Sequence, residues 1–168
     1  MLQTEQSRTP AGAFRTTVNK QDIAAVQSLV AATGFFSTDE QELAAELVAE
    51  ALARGEASGY FFLFADTDHG LAGYTCYGPI PATQSGFDLY WIAVARDQQG
   101  SGLGRLLIEA SETDARARGA TRMYVDTSGR AQYAPTRAFY EHMGYERTAV
   151  LEDFYAPADA KVIYSKVL

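Results

Sequence analysis

"IAVARDQQGSGLGRLLI", residues 92–108, decides how this chain is read. An apolar run with β-branched residues stops at Val94, three glycines alternate with other residues, and a leucine-rich run follows. That order is strand, loop, helix start. The first amides of a helix have no intrahelical partner, and the helix dipole adds partial positive charge there, so such a junction can hold an anion. Gly100, Gly102 and Gly104 would let the backbone approach it, because no Cβ intervenes. Gln99 offers a donor amide, and Arg105 adds charge at the same helix end. Two familiar phosphate loops fit poorly. A Walker loop needs Gly-Lys-Ser/Thr where this chain has Gly-Arg-Leu, and a dinucleotide fingerprint needs a glycine where Arg105 stands. Spacing alone leaves two readings: a pyrophosphate cradle, or a plain turn ahead of a helix.

Outward from this loop, the hydrophobic period assigns the other elements. Upstream, "AFRTTV" (13–18) reads as a first strand. Residues 20–33 place Ile23, Val26 and Val30 on one helical stripe. A second helix opens at Ser37 or Thr38, with acids in its first turn and Leu43, Leu47, Val48, Ala51 and Leu52 as its expected buried face. "YFFLFAD" (60–66), "LAGYTCYG" (71–78) and "FDLYWIAVA" (87–95) follow as strands, the first two joined by a turn. Downstream of the glycines, a helix over about 101–118 points Leu103, Leu106, Leu107, Ala110 and Ala117 inward. Glu109, Glu112, Asp114, Arg116 and Arg118 then face water. A strand (121–127), a short helix (135–143) with Pro135 in its first turn, and strands over 145–155 and 161–168 complete the chain. This is an α/β (α+β) chain with a mixed, mostly antiparallel sheet of about seven strands and four helices. One parallel crossover lies in its middle. Residues 1–12 read as a flexible leader and 13–168 as a single domain.

The chain has 168 residues, 47% of them hydrophobic and 21% charged, as in ordinary soluble domains. Its formal net charge of −7 repels a phosphate backbone, which argues against nucleic acid and mildly favours cationic partners. No run is apolar for the roughly 20 residues a membrane crossing needs. The polar N-terminus is no secretory signal, and the single cysteine, Cys76, has no partner for an internal disulfide. The expected compartment is the cytoplasm. His69 and His142 lie far apart without companion ligands, so no metal is expected.

Residues 92–108 resemble motif A of the GNAT acetyltransferases, in which a strand ending in valine is followed five residues on by Arg/Gln-x-x-Gly-x-Gly/Ala. Val94 and Gln99-Gly100-Ser101-Gly102-Leu103-Gly104 match that spacing. "AFYEHMGY" (138–145) resembles the family's short helix and the Gly-aromatic pair after it, with Tyr140, Gly144 and Tyr145 in place. The resemblance implies a three-layer α/β/α fold with acetyl-CoA as co-substrate, lying between two splayed central strands. Backbone groups of Ile92, Ala93 and Val94 would pair with the pantetheine arm. The segment Gln99, Gly100, Ser101, Gly102, Leu103, Gly104 and Arg105 would hold the pyrophosphate.

Acetyl transfer to an amine needs a base for the ammonium, donors for the developing oxyanion and an acid for the leaving thiolate. By resemblance Tyr140 is the acid and also contacts the cofactor. Asp88, on the same strand face as Tyr90, is the first candidate base, acting directly or through water. Glu152 and Asp153 are the second candidates. Tyr90, Glu152, Asp153 and Tyr155 are expected near the acceptor.

Tyr133 departs from the family's pattern, which often has an asparagine there; Ser128, Arg130 or Gln132 could substitute. The implied activity is N-acetylation of a small amine or amino-acid-like acceptor by direct attack in a ternary complex. A non-catalytic acyl-CoA-binding module and a protein or peptide N-acetyltransferase stand as alternatives. Many members of the family dimerise, and a homodimer is the corresponding expectation.

Overall fold

The computed structural model describes residues 14–168. The leader expected at 1–12 and the first residue of the expected first strand lie outside them. Helix α1 (Asp22–Thr33) buries Val26, Leu29 and Val30, and Gly34 ends it in a left-handed conformation. Helix α2 (Thr38–Arg54) starts with a reciprocal capping box: Glu40 N donates to Ser37 Oγ, and Ser37 N donates to the Glu40 carboxylate. Strands β1 (Phe61–Thr67), β2 (Gly70–Pro79) and β3 (Gly86–Val94) form an antiparallel meander. Helix α3 (Leu103–Ala117) returns the chain to β4 (Arg122–Ser128), parallel to β3. Helix α4 (Ala134–His142) leads into the hairpin of β5 (Glu146–Ala156) and β6 (Asp159–Val167). The sheet order is β1-β2-β3-β4-β6-β5.

Six strands form where about seven were expected. The missing one is reduced to a single bridge, Arg15 to Phe64, on the outer edge of β1. Arg15 then spends its guanidinium on Asp22 and Asp66, and the chain turns into α1 instead of continuing along the edge. The sheet divides two apolar layers. Leu63, Tyr77, Leu89, Leu107, Ile108, Met123 and Tyr164 pack on the side of α3 and α4. Val26, Val30, Val48, Phe62, Phe64 and Tyr74 pack on the side of α1 and α2.

Two helix faces differ from the reading by period. Helix α2 buries Ala44, Ala45, Val48 and Ala51, whereas Leu43 and Leu52 are 47% and 42% exposed. Small side chains bring α2 close to its neighbours, and Leu43 is displaced toward an open cavity described below. On α3, Glu112 is buried instead of facing water, and Ala117 is exposed near the helix end. Glu112 is drawn in by partners: Lys166 Nζ donates to both carboxylate oxygens at 2.9 and 3.0 Å, and Tyr145 Oη donates at 3.0 Å.

Candidate functional site

The site begins where two strands separate. β3 and β4 pair only at Gly86–Arg122, Phe87–Met123 and Asp88–Tyr124. Beyond Asp88, β3 stays on β2 as far as Val94, while β4 stays on β6 as far as Ser128. A bulge helps to divert β3: Cys76 faces Trp91 and Tyr77 faces Leu89, leaving Tyr90 as the extra residue. The two strands therefore open as a V with Asp88 at its vertex. A cavity of about 930 Å³ fills the opening. Leu89 to Val94 form one wall and Val125 to Ser128 the other. Gly100, Gly104, Phe139 and Tyr140 close one side, and Phe35, Phe36, Leu43 and Tyr155 border the other.

The glycine loop meets this cavity at the start of α3. Gly102 is the N-cap residue, with φ of 90°, and Gly100 has φ of 77°, so both occupy the left-handed region that favours glycine. A Cβ added to either would meet nothing within 4 Å. Ser101 Oγ accepts from Leu103 N. Among the described residues, the amides of Gly100, Gly102, Gly104 and Arg105 have no acceptor. Four unpaired donors at a helix N-terminus, open to space, are what a pyrophosphate requires.

The side chains of the loop do other work. Gln99 Nε2 donates to the Val94 carbonyl at 3.1 Å and so ties the loop to the end of β3. Ser101 Oγ also donates to the Gln98 carbonyl. Leu103 is buried in the core, and Arg105 points outward beside Glu109 at 3.8 Å. Of the residues expected at the cofactor, Ile92, Ala93, Val94, Gln99, Gly100, Gly104 and Tyr140 line the cavity. Ser101, Gly102, Leu103 and Arg105 lie outside its lining, where backbone groups of the loop remain the available contacts.

Tyr140 is 4% exposed, and its phenol makes no hydrogen bond among the described residues. Burial, reinforced by the charge of Asp126, pushes its pKa well up and keeps the phenol protonated. Asp88 is half-buried at the vertex. Burial raises its pKa to about 6, the negative charge of Asp126 adds to the rise, and Lys161 opposes it. Asp88 does not line the cavity; Tyr90 and Tyr155 do, each pushed up to about 12 mainly by burial.

The carboxylates of β5 go elsewhere. Glu152 and Asp153 are exposed and outside the cavity lining. Asp153 turns to φ of 55° and accepts from Ala158 N at 2.7 Å, which closes the β5–β6 hairpin.

Tyr133, in the position of the family's asparagine, reaches the loop between α1 and α2. Its hydroxyl donates to the Phe35 carbonyl at 3.4 Å, and the two rings lie 6.1 Å apart. Arg96 holds the end of α1 just before that loop, donating to the Thr33 carbonyl at 3.0 and 3.2 Å. Ser128 and Arg130 are engaged with Asp159, and Gln132 is exposed away from the cavity. Arg137 donates to the carbonyls of Ser128 and Arg130.

Sequence reasoning passed over Asp126. It lies on β4 between Val125 and Thr127, lines the cavity and pairs with Lys161 at 2.7 Å. Strand alternation around "YVDTS" was its signal: Val125 faces the core on the α3 side, so Asp126 takes the opposite face. Phe35, Phe36 and Trp91 were also missed. No cluster of three or more His, Cys, Asp or Glu groups suited to a metal ion occurs among the described residues. No helix among them is long and apolar enough to cross a membrane.

Comparison with known proteins places this geometry. The Acetyltransferase (GNAT) family model matches residues 24–145. A solved structure of a GNAT-family protein from Desulfovibrio desulfuricans is 49% identical, with a TM-score of 0.90 over 92% of this chain and 98% of that one. An aminoglycoside 6'-N-acetyltransferase complexed with coenzyme A shares the fold at 17% identity and a TM-score of 0.72, over 92% of this chain and 95% of that one. A ribosomal-protein-alanine N-acetyltransferase from Brucella melitensis shares it at 21% identity and a TM-score of 0.75, over 93% and 99%. No match was found among curated proteins.

Proposed function

This chain belongs to the GNAT acetyltransferase family, whose donor is acetyl-CoA, and from that premise we propose that it acetylates the primary amine of a small-molecule acceptor by direct attack. The observation that carries the reading is the V between β3 and β4, with unpaired amides at one end and a protonated, unpartnered tyrosine on its wall. Acetyl-CoA supplies the thioester carbonyl that the amine attacks. The residues of the chain do the rest. The loop amides of Gly100, Gly102, Gly104 and Arg105 neutralise the pyrophosphate, and Ile92 to Val94 orient the extended arm along β3. Asp88 takes the proton of the ammonium through a bridging water, since it stands at the vertex of the V and does not itself line the cavity. A carboxylate that titrates near 6 is ionised at neutral pH and still basic enough to accept a proton. Tyr140 delivers a proton to the leaving thiolate; a phenol held neutral is in the protonation state this requires. Tyr90 and Tyr155 border the acceptor side.

A homodimer belongs to the same reading. β5 is an end strand of the sheet, and Val150, Leu151 and Phe154 are exposed along it.

Replacing Tyr140 with Phe tests the proposal. The variant loses no protein hydrogen bond, so it should fold and bind CoA as the parent does. Its thiol-release rate with amines should fall about 10²- to 10⁴-fold. Unchanged turnover would remove Tyr140 from the chemistry, and absence of thiol release with every amine tried, CoA binding being intact, would leave a binding module.

A further inference from the structure

We infer that the acceptor is a monoamine, one ammonium carried on an aromatic or alkyl body, with Asp126 as the anchor of that ammonium. The inference rests on the acetyl-transfer reading above and names its substrate class.

The apolar body follows from the wall facing α1 and α2. Phe35, Phe36, Leu43, Tyr90, Trp91 and Tyr155 come from four separate elements and converge on the cavity. Phe35, Leu43 and Tyr155 are 42%, 47% and 49% exposed at its border. Large apolar groups gathered around an opening mark a surface completed by an apolar ligand. Leu43 belongs to this set because α2 buries alanines and Val48 instead of it. Phe36 and Trp91 pack ring to ring at 5.1 Å with their planes tilted by 41°, which fixes an aromatic corner of the wall. Ring faces also attract a cation passing over them.

The single charge follows from a census of the lining carboxylates, which are three. Glu40 Oε2 accepts from Ser37 N at 2.7 Å in the capping box, which holds this carboxylate at the α2 N-terminus on the cavity's border. Asp159 is 7% exposed and is held by Ser128 and by Arg130 at 3.1 Å. Asp126 differs. Its side chain is 38% exposed, and Lys161 Nζ pairs with it through Oδ2 at 2.7 Å, which leaves the carboxylate open to the cavity it lines.

Asp126 also stands among the reacting groups. Its charge is felt at Asp88, at Tyr140 and at Tyr155, so it lies within electrostatic reach of the base, the acid and the apolar border. An ammonium held by Asp126 would lie in the cavity that Tyr140 also lines. A second or third ammonium of a polycation would have to share Glu40 with the α2 N-terminus or compete with Arg130 for Asp159, among aromatic rings, and an unpaired charge in such a place is costly. A peptide's amides would likewise lose water to apolar walls.

The test is a panel assayed for CoA thiol release with acetyl-CoA as donor: 2-phenylethylamine, tryptamine and hexylamine against spermidine, kanamycin and an alanyl tripeptide. The three apolar monoamines should give kcat/KM at least about 100-fold above the rest, the order one unpaired buried charge imposes. Asp126→Asn should raise KM for 2-phenylethylamine more than about tenfold while CoA affinity, measured by calorimetry, stays unchanged. Leu43→Ala together with Phe35→Ala should erase the advantage of 2-phenylethylamine over methylamine. Faster turnover of kanamycin, spermidine or the peptide overturns the inference and leaves acetyl transfer standing. An unaltered KM in Asp126→Asn overturns the anchor. Absence of thiol release with every acceptor of the panel overturns the transfer reading and this inference with it.

Discussion

Asp88 offers the sharpest test of the proposed chemistry, because the same carboxylate predicts a rate profile and a stability profile of opposite sense. Its pKa is raised from 3.8 to about 6, first by burial at the vertex of the V, then by Asp126, against the opposing charge of Lys161. If Asp88 must be ionised to act, about 90% of the enzyme is competent at pH 7 and about 10% at pH 5. The rate kcat/KM should then fall about tenfold per pH unit below 6. Each charged neighbour moves that limb in a known direction. Asp126→Asn removes a cause of the rise and shifts the limb to lower pH; Lys161→Met removes the opposing cation and shifts it to higher pH. Asp88→Asn should abolish the limb and lower kcat/KM about 10²- to 10⁴-fold.

The stability sign runs the other way. A group whose folded pKa exceeds its unfolded value favours the native state below the unfolded pKa, and that contribution is lost as pH rises through the folded one. The window here runs from 3.8 to about 6. Asp88→Asn should therefore raise Tm above that of the parent at pH 7.5, with the gain shrinking toward pH 4. The assay is initial thiol release with one amine across this range, alongside melting of each variant in the same buffers. A limb near 6 that persists in Asp88→Asn refutes the role of Asp88. A variant that is slower but no more stable at pH 7.5 refutes the buried, raised carboxylate.

Other perturbations read the remaining parts. Gly102→Ala meets no atom within 4 Å but forces a Cβ into φ of 90°; it should cost about 1–2 kcal/mol of stability in urea unfolding. It should weaken CoA about tenfold by displacing the loop amides, as one lost charge-assisted hydrogen bond would, and leave the KM for acetyl-pantetheine, which lacks the pyrophosphate, unchanged. Lys166→Met strands the Glu112 carboxylate, whose side chain is 6% exposed; it should cost about 3 kcal/mol, or about 6–12 °C in Tm. Adding Glu112→Leu should recover most of that loss, and equal melting of the single and double variants would show that the pair carries no such cost.

The parts of this fold that can be read from sequence are those whose cause is local. Ser37 and Glu40 stand at capping-box spacing, and that helix begins where they say. The strands and helices around the glycine loop alternate between periods near 2 and 3.6, and each forms within a few residues of its expected place. Glu112 shows where this stops. As a charge on an amphipathic helix it belongs in water by period alone. What buries it is Lys166, 54 residues away on β6, together with Tyr145. Leu43 is the converse case, an apolar residue outside the core because small residues on α2 set the helix spacing and the cavity takes what remains.

The candidate site divides along the same line. A glycine loop before a helix carries its meaning in its own backbone, so the anion-binding end is legible in residues 99–105. The acceptor end is made by a tertiary event. β3 and β4 part after Asp88 and Tyr124, and that separation opens Asp126, an ordinary mid-strand acid by sequence, to the cavity that Tyr140 also lines. The same topology withdraws Glu152 and Asp153, which share a strand with Tyr155 yet lie outside the cavity, because Asp153 turns back to close a hairpin. Asp126, Glu152 and Asp153 look alike in a sequence; the parting of β3 and β4 and one left-handed residue at Asp153 make them different. Donor chemistry in this chain is thus set by a contiguous motif, and acceptor chemistry by where two strands separate, so the acceptor can change through substitutions that leave residues 92–108 untouched.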